Sequence, residues 1–533
     1  MAPLGNDLRK VGPATGPFIL VTMKSALPWL LAALSGLALA LAVPGAGLAP
    51  LALVFPVLLL EALERVEGKW RPWFIGWLAG TVFWSVSSNW VVAVMHSYGG
   101  LPQLLAVGCL IGMGAYLGIL WAVAAAVTAV VPGRLRIWLF PPVWIAVTVL
   151  QRFQPYGFTW NDVASAFTEW PWLMQSLPVW GATGLSWSLV AAGAGAWGVA
   201  RSGSRNAGAL AIAAAAVSLA AAVAVSPRPI SAGPSVVVGV VQPGTTLEEK
   251  WDPSMGREVA DRVWAMTAEG ALLGAELVLW PESAVPYSLE NDPSYREMVE
   301  NFAREFDIEI VLNSIGPLAG GAYANSAYLV TPDGVSPVRY DKVQLVPFGE
   351  YVPPWARLAF TESLVREVGA FTPGPAPVVL PASVPLGVAI CFEVVFPDLV
   401  AREVRGGAQL LTTLTNDGWY GFSWAPLQHF AQVRLRAAET QRWFARAALT
   451  GISGFVDPTG RVTSHLEVGK SGVLVETVVP MRGLTPRARW GDWWAVLCAL
   501  ASITLVIAGR RAPDRLPPRG SKGKTFKHQN LGR

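Results

Sequence analysis

The chain has 533 residues, of which 53% are hydrophobic and only 14% charged, and its net charge is +4. Soluble domains usually have about a quarter of their residues charged. The composition therefore excludes an ordinary soluble protein and indicates a chain that lies largely in a bilayer. The only basic run is the C-terminal tail, residues 511–533, which is interpreted as a cytoplasmic anchor. We expect no nucleic-acid partner.

The first part of the chain predicts a membrane region. Residues 1–24 are interpreted as a cytoplasmic tail, with translation starting at Met1 or at Met23. A helix needs about 20 apolar residues to cross a bilayer. Residues 25–228 predict a seven-helix region, and residues 488–510 predict an eighth helix after a long polar segment. The apolar runs are 26–44, 49–63, 73–95, 102–131, 136–151, 178–200, 207–226 and 490–509.

The loops between these runs differ in charge, and this difference predicts the orientation. Positive residues favour the cytoplasmic side of a membrane. They occupy alternate loops, as Arg65, Lys69, Arg71, Arg134, Arg136, Arg201 and Arg205. We therefore expect both termini in the cytoplasm and the polar segment outside. Arg482, Arg487 and Arg489 oppose this orientation because they precede the last apolar run, although the tail after that run is more basic.

Tryptophan occurs 25 times and is frequent near the ends of the apolar runs, which is typical of interfacial belts. Trp160 is one such residue. It lies in an aromatic and nearly uncharged loop, residues 152–177. Two interpretations of this loop stay open, a segment that re-enters or rests on the membrane surface and a hydrophobic mouth for a lipid tail.

The polar segment, residues 235–487, has short apolar strands that alternate with amphipathic helices, and FARAALTGISGFV at 444–456 is predicted as one of these strands. This alternation predicts an α/β layer structure, in which reactive groups are expected where strands end. Three strand ends carry such groups: Glu282 after ELVLW, Lys342 after VRYD and Cys391 after VPLGVAI.

Each of these residues has an ordinary interpretation when taken alone. A cysteine at a strand end is commonly a small buried hydrophobe, and the other two suit solvated loops. Together they supply what an acyl-transferring thiol needs: a base, a cation for the oxyanion and a nucleophile. A Cys–His site is the rival, and among the four histidines only His429 is placed to serve as a base; it is otherwise expected to cap or pack.

The remaining cysteines, Cys109 and Cys498, lie in apolar runs. No pair has the spacing of a zinc site or a redox dithiol. We therefore expect no metal, no cofactor and no disulfide framework.

The motifs LWPESAVP, RYDKVQLVPFGEYVP and GVAICFEVVFPDL resemble the three catalytic blocks of the nitrilase superfamily. The VPFGEYVP block, KWDP at 250–253 and TNDGWYG at 415–421 are similar to its membrane-bound branch, the apolipoprotein N-acyltransferase family. The resemblance implies an α-β-β-α sandwich at 235–487 on a bundle of about eight helices in a bacterial inner membrane, with the sandwich on the periplasmic or equivalent side.

The resemblance also implies an activity. A phospholipid gives its sn-1 acyl chain to the enzyme cysteine, which passes it to the diacylglyceryl-cysteine that begins an apolipoprotein. Glu282 is then the base, Lys342 the oxyanion cation and Cys391 the nucleophile. Further positions match residues that the family uses around its site: Glu350, Glu393, Trp251 and Trp419. For these four, structural support or packing remains an alternative.

The family commonly has a tyrosine after the nucleophile, and here Phe392 stands in its place. Two other functions stay open. A membrane-tethered amidase would use water as the acceptor at the same three residues. A transporter or scaffold would use the outer segment only to bind, but neither internal repeats nor membrane-embedded charges are evident.

Overall fold

The computed structural model describes residues 16–153, 157–351 and 371–511, with side chains from residue 26 onward. The predicted basic tail 511–533 lies outside the described residues, apart from Arg511 at the end of the last helix. The first helix begins at Gly16, ahead of the predicted boundary at residue 25.

Helices make up most of the described membrane part. Its helices are α1 (Gly16–Ala42), α2 (Leu51–Glu64), α3 (Arg71–Ser87), α4 (Trp90–Ala93, continued by a π-helical turn Val94–Tyr98), α5 (Gln103–Ala129), α6 (Gly133–Thr148), α7 (Pro171–Met174), α8 (Leu177–Val199) and α9 (Arg205–Ala224).

Every predicted apolar run contains a helix, but the helices differ in their ability to cross a membrane. Within the described residues, four are long and apolar enough: Gln103–Ala129, Gly133–Arg152, Arg205–Ala224 and Trp493–Arg511. The pair α3 and α4, bent by 58°, would make a fifth. Helix α2 has only 14 residues, and α8 is kinked at Gly181, which has φ +65°. A count of about eight spans therefore stays a prediction.

The polar segment forms two main sheets. Its strands are β1 (Ile230–Ser231), β2 (Val236–Gln242), β3 (Leu277–Leu279), β4 (Glu309–Pro317), β5 (Tyr323–Thr331), β6 (Gly334–Asp341), β7 (Leu386–Ile390), β8 (Leu410–Thr415), β9 (Phe444–Ala448), β10 (Ser453–Val456), β11 (Val462–Leu466), β12 (Gly472–Val478) and β13 (Met481–Arg482). One sheet has the order β12-β2-β3-β4-β5-β6 and the other β11-β10-β9-β8-β7, while β1 pairs with β13.

Helices cover the outer face of each main sheet. They are α11 (Gly256–Leu272), α12 (Pro293–Phe306), α13 (Pro397–Arg405) and α14 (Ala425–Thr440); α10 (Leu247–Trp251) precedes α11, and α15 (Pro486–Trp490) and α16 (Trp493–Arg511) follow the sheets. Val238 and Leu279 of the first sheet share a core with Ile390 of the second. On the other side of the first sheet, Val278 and Ile310 pack in the core that faces α11 and α12. The domain is thus an α-β-β-α sandwich.

One predicted strand is divided. The run FARAALTGISGFV, predicted as a single strand, forms β9 and β10, which pair antiparallel. The turn between them contains Gly451, where a Cβ atom would lie 2.2 Å from the carboxylate of Asp417. Only a glycine can bring the chain this close to that side chain, so the strand ends and reverses there.

Helix α14 joins the sandwich to the membrane part. All of its residues except Leu427 are buried, and its apolar side chains belong to one core that also includes residues of α1 to α8. A helix buried all round needs apolar or paired neighbours on every side, and here the second sheet and the bundle supply them. The sandwich is therefore packed on the bundle rather than tethered to it.

The aromatic loop lies partly inside this interface. Trp160 is 1% exposed, so its predicted place in an interfacial belt is wrong. Its indole ring stacks on Phe392 and on His429 of α14, with ring centroids 6.1 and 5.1 Å apart. Trp172, further along, is 53% exposed. Phe158 and Trp160 of this loop thus form a wedge between the two parts of the protein.

Two arginines of the interface form ion pairs with aspartates. Arg487 is buried and donates to Asp398 at 2.9 Å, and Arg152 pairs with Asp492 and Asp398. An arginine held in such a pair is not a free cation beside the membrane. Arg487 therefore weighs less against the predicted orientation than its position in the sequence indicates.

Candidate active site

The three predicted catalytic residues meet between the two sheets. Glu282 follows β3, Lys342 follows β6 and Cys391 follows β7. Their exposed fractions are 8%, 1% and 6%. The sequence places each residue at a strand end, and the sandwich brings the ends together because the two sheets stack face to face.

Glu282 and Lys342 belong to one hydrogen-bonded cluster with Glu350. Lys342 Nζ donates to Glu350 Oε1 at 2.8 Å and lies 3.6 Å from Glu282 Oε1. Asn325 Nδ2 donates to both carboxylates, at 2.9 Å each. The second oxygen of Glu282 accepts from the backbone N–H of Asn416 at 3.0 Å. The cluster holds the Glu282 carboxylate at both oxygens and keeps it close to the ammonium.

The Lys342 ammonium stays charged in this setting. Burial alone would lower the pKa of Lys342, but the carboxylates of Glu350 and Glu282 outweigh burial and raise it. A buried cation is the group that a developing oxyanion needs. Glu350 therefore keeps Lys342 protonated and leaves its charge available to a reacting carbonyl.

Cys391 has an unusual backbone conformation, with φ +53° directly after β7. Positive φ is uncommon outside glycine and places the side chain at a sharp turn. Burial and the nearby Glu282 raise the pKa of the Cys391 thiol, against the opposite effect of Lys342 and a hydrogen bond with Thr415. The resting group is thus a thiol, so attack requires transfer of its proton to a base.

Glu393 holds the turn that carries the nucleophile. Its carboxylate accepts from the backbone N–H groups of Val343, Gln344 and Ile390 at 2.7 to 2.9 Å and from the Tyr340 hydroxyl at 2.8 Å. Burial raises the pKa of Glu393 to about 7, while Lys342 and the hydrogen bonds restrain the rise. Glu393 ties the turn after β7 to the turn after β6, so the structure places it as support.

The two predicted tryptophans lie at the edge of the domain. Trp251 of α10 and Trp419 contact each other and Tyr98 of the membrane part, with ring centroids 5.3 to 5.8 Å apart. Trp251 is 53% exposed. Leu247, also on α10, packs on the loop at Gly418, two residues from Asn416. The aromatic group therefore adjoins the loop that holds Glu282.

Phe392 is buried and faces the membrane part. Its ring lies 6.2 Å from Phe158 and 6.1 Å from Trp160, centroid to centroid. The phenylalanine thus packs against the bundle loop.

Asn313 and Asn325 were not predicted as part of the site. Asn313 Nδ2 donates to Asn325 Oδ1 at 2.6 Å, and Asn313 Oδ1 accepts from the backbone N–H of Ser283. Both asparagines are buried on neighbouring strands, β4 and β5. A polar side chain in an otherwise apolar strand is the only signal that the sequence offers for them. The described residues contain no cluster suited to a metal ion.

Comparison with protein families gives two matches. Residues 237–484 match the carbon-nitrogen hydrolase family, and residues 35–196 match the apolipoprotein N-acyltransferase N-terminal domain. An apolipoprotein N-acyltransferase of Geobacter metallireducens is 31% identical over 498 residues, which cover 91% of this chain and 95% of the relative. One of Gloeobacter violaceus is also 31% identical, over 90% of this chain and 94% of the relative.

Solved structures resemble the sandwich. An amidase from Nesterenkonia sp. is 23% identical with a TM-score of 0.37, and the match covers 50% of this chain and 98% of the amidase. Saccharomyces cerevisiae Nit3, a member of branch 10 of the nitrilase superfamily, is 18% identical with a TM-score of 0.37, over 46% of this chain and 91% of its own.

Proposed function

Because this chain belongs to the apolipoprotein N-acyltransferase family, we propose that it moves the sn-1 acyl chain of a phospholipid, through a thioester on Cys391, to the amino group of a diacylglyceryl-cysteine at the start of an apolipoprotein. The family is one of acyltransferases that act in lipoprotein maturation. The donor, the intermediate and the acceptor named here are our proposal.

In the first half-reaction Glu282 takes the proton of the Cys391 thiol as the sulfur attacks the ester carbonyl carbon. The negative charge that develops on the carbonyl oxygen is stabilised by the Lys342 ammonium and nearby backbone N–H groups. The bond from the carbonyl carbon to the glycerol oxygen breaks, and the proton held by Glu282 passes to that oxygen. Lysophospholipid leaves, and the acyl chain stays on the sulfur.

In the second half-reaction the neutral amine of the acceptor attacks the thioester. Glu282 takes a proton from the nitrogen as the amide bond forms. The carbon–sulfur bond breaks, and the proton returns to the sulfur of Cys391. The thiol is thus regenerated, and no metal or cofactor is needed.

The observation that carries this proposal is the packing of the residue next to the nucleophile against the membrane part. Phe392, the residue after Cys391, packs against Phe158 and Trp160. Lifting an acyl chain into water costs about 0.8 kcal/mol for each CH₂ group. A site beside the bundle avoids most of this cost, which favours a lipid substrate over a small soluble amide.

We propose in addition that the bundle crosses a bacterial inner membrane about eight times and holds the sandwich on the periplasmic or equivalent side. The basic loops predict this orientation. Cysteine labelling of single loop positions in spheroplasts would contradict it if residues 65–71 reacted from the outside.

The purified full chain, incubated with a phospholipid whose two acyl chains differ in length, tests the chemistry by intact mass. We expect a gain of the sn-1 chain that hydroxylamine removes and that is absent from Cys391→Ala. Addition of a diacylglyceryl-cysteinyl peptide should then discharge the chain to the free amine, whereas an N-acetylated peptide should not. Steady release of free fatty acid without any amine would support an amidase-like hydrolase, and an unmodified protein would contradict the thioester.

A further inference from the structure

A fully buried histidine lies directly behind the nucleophile. His429 Nε2 is 3.1 Å from the backbone carbonyl oxygen of Cys391. On the opposite side of the ring, Nδ1 lies 3.1 Å from Asp417 Oδ1 and 3.1 Å from Arg446 Nη2. The imidazole therefore touches the backbone of the nucleophile residue, and its other nitrogen is enclosed by charged side chains.

The neighbours determine where the imidazole carries its proton. A carbonyl oxygen only accepts, so the ring nitrogen that faces Cys391 donates, and Nε2 carries a hydrogen. Nδ1 lies between the Asp417 carboxylate, which only accepts, and the Arg446 guanidinium, which only donates. Burial and Arg446 lower the pKa of His429, although Asp417 acts in the opposite sense. In either charge state the ring therefore presents an N–H, and no lone pair, to the Cys391 carbonyl.

Asp417 and Arg446 hold this arrangement. Arg446 Nη2 lies 2.5 Å from Asp417 Oδ2, and the Thr415 hydroxyl donates to Asp417 Oδ1 at 2.9 Å. All of these groups are buried, and Asp417 is ionised because Arg446 and His429 outweigh burial and lower its pKa. A buried ion pair with short contacts is a rigid support, so the position of His429 is well defined.

The other face of His429 is covered by the membrane part. The Trp160 ring stacks on the imidazole, with centroids 5.1 Å apart and planes 28° apart. Trp160 Nε1 donates to Gln428 Oε1 at 2.7 Å, and Gln428 Nε2 donates to the carbonyl oxygen of Ser87 at the end of α3. A continuous set of contacts thus runs from a bundle helix through Trp160 and His429 to Cys391.

We propose that His429 is a positioning residue that fixes the peptide between Cys391 and Phe392, and that Trp160 of the membrane part holds His429 in place. The inference rests on the proposed acyl transfer at Cys391. It gives the bundle a part in catalysis besides anchoring the domain.

The physical reason lies in the planarity of the peptide bond. In a trans peptide the C=O and the following N–H point in opposite directions. A hydrogen bond from His429 to the Cys391 carbonyl therefore directs the N–H of Phe392 away from the histidine. This N–H is then held ready, with Lys342, to stabilise the oxyanion. The positive φ of Cys391 is unfavourable for a residue with a side chain, so the turn needs contacts that hold it, and the hydrogen bond from His429 adds to those of Glu393.

The test compares His429→Gln with His429→Leu in the full chain. A glutamine amide can donate to the Cys391 carbonyl and a leucine cannot. We expect His429→Leu to slow thioester formation from saturating phospholipid about tenfold to hundredfold, with the half-saturating concentration changed less than twofold. His429→Gln should retain most of the rate. Alkylation of Cys391 by iodoacetamide, which forms no oxyanion, should change less than about threefold in both variants.

The membrane side has a matched pair of variants. Trp160→Phe keeps an aromatic ring against His429, whereas Trp160→Leu removes it. The leucine variant should slow thioester formation and the phenylalanine variant should not. Thermal unfolding shows whether each of the four variants is folded. If a leucine variant does not fold, the rate of His429→Gln relative to the wild type still tests the proposal.

Three results would overturn the proposal. A His429→Leu rate equal to that of the wild type would show that the hydrogen bond is unimportant. Equal inactivity of folded Gln and Leu variants, or loss of one limb of the pH profile in His429→Gln, would make the imidazole a base. A separate result concerns the donor. A wild-type chain that takes an acyl group from p-nitrophenyl butyrate but not from phospholipid would contradict the proposed donor and not the role of His429. The same comparison of His429 variants would then be made with that ester.

Discussion

Replacement of Lys342 by methionine separates two roles of the ammonium, charge balance and oxyanion stabilisation. Lys342 Nζ lies 2.8 Å from Glu350 Oε1 and 3.6 Å from Glu282 Oε1. At an effective dielectric constant of about 20, such pairs attract by about 6 and 5 kcal/mol. Part of this attraction is offset by the desolvation of the lysine, and breaking a buried ion pair costs about 3–5 kcal/mol overall.

We therefore expect Lys342→Met to lower the Tm of the domain by about 10 °C and to reduce thioester formation by more than about a thousandfold. The variant loses stability because the buried carboxylates of Glu282 and Glu350 then share the Asn325 amide with no cation between them. Adding Glu350→Gln to Lys342→Met removes one of those carboxylates. The glutamine keeps an oxygen that can accept from Asn325. The double variant should regain most of the Tm, because one buried negative charge remains in place of two.

Activity gives the decisive comparison. If Lys342 acts on the oxyanion, Lys342→Met/Glu350→Gln stays inactive despite its recovered stability. The assay is the rate at which the purified chain gains an acyl mass from phospholipid, with Glu350→Gln alone as the control. Recovery of the double variant to within about tenfold of the wild-type rate would refute the oxyanion role and leave Lys342 only as a counterion.

Three further changes probe the surroundings of the site. Asn325→Asp should lower both stability and acylation rate, because it places a third carboxylate against Glu282 and Glu350; Tm and intact mass measure the two effects. Trp251→Ala should raise the half-saturating phospholipid concentration several-fold with little change in maximal rate, and Trp251→Phe should not. Glu393 has its pKa raised from 4.5 to about 7, so it stabilises the fold fully below pH 4.5, and this contribution is lost as the pH rises through 7. The Tm of the wild type should therefore fall more steeply between pH 5 and pH 8 than that of Glu393→Gln.

Each of these expectations has a contrary result. Wild-type stability of Asn325→Asp would mean that the amide does not bridge the carboxylates. A lower maximal rate in Trp251→Ala at unchanged half-saturation would place Trp251 in the chemical step instead of in substrate entry. Parallel pH curves for Glu393→Gln and the wild type would show that Glu393 does not titrate with unfolding.

The convergence of the three candidate catalytic residues could be predicted because each lies in a local motif. Glu282, Lys342 and Cys391 follow β3, β6 and β7, and strand ends are recognisable from a few neighbouring residues. A layered α/β domain was predictable for a related reason, since alternating strands and helices pack in layers, whereas its α-β-β-α order was implied only by the resemblance to the nitrilase superfamily. The division of one predicted strand into β9 and β10 was not, because it depends on the contact of Gly451 with a distant aspartate.

What the sequence by itself determined is the order of apolar runs, the layered outer domain and the chemistry of a thiol, a carboxylate and an ammonium. Only the tertiary structure decided which groups surround that chemistry. Asn325 and His429 reach the site from β5 and α14, and neither lies in a motif that marks its role. The wedge formed by Trp160 likewise depends on packing between parts of the chain that are far apart in sequence. Strand-end motifs are local, whereas the orientation of a buried side chain depends on neighbours that only folding brings near.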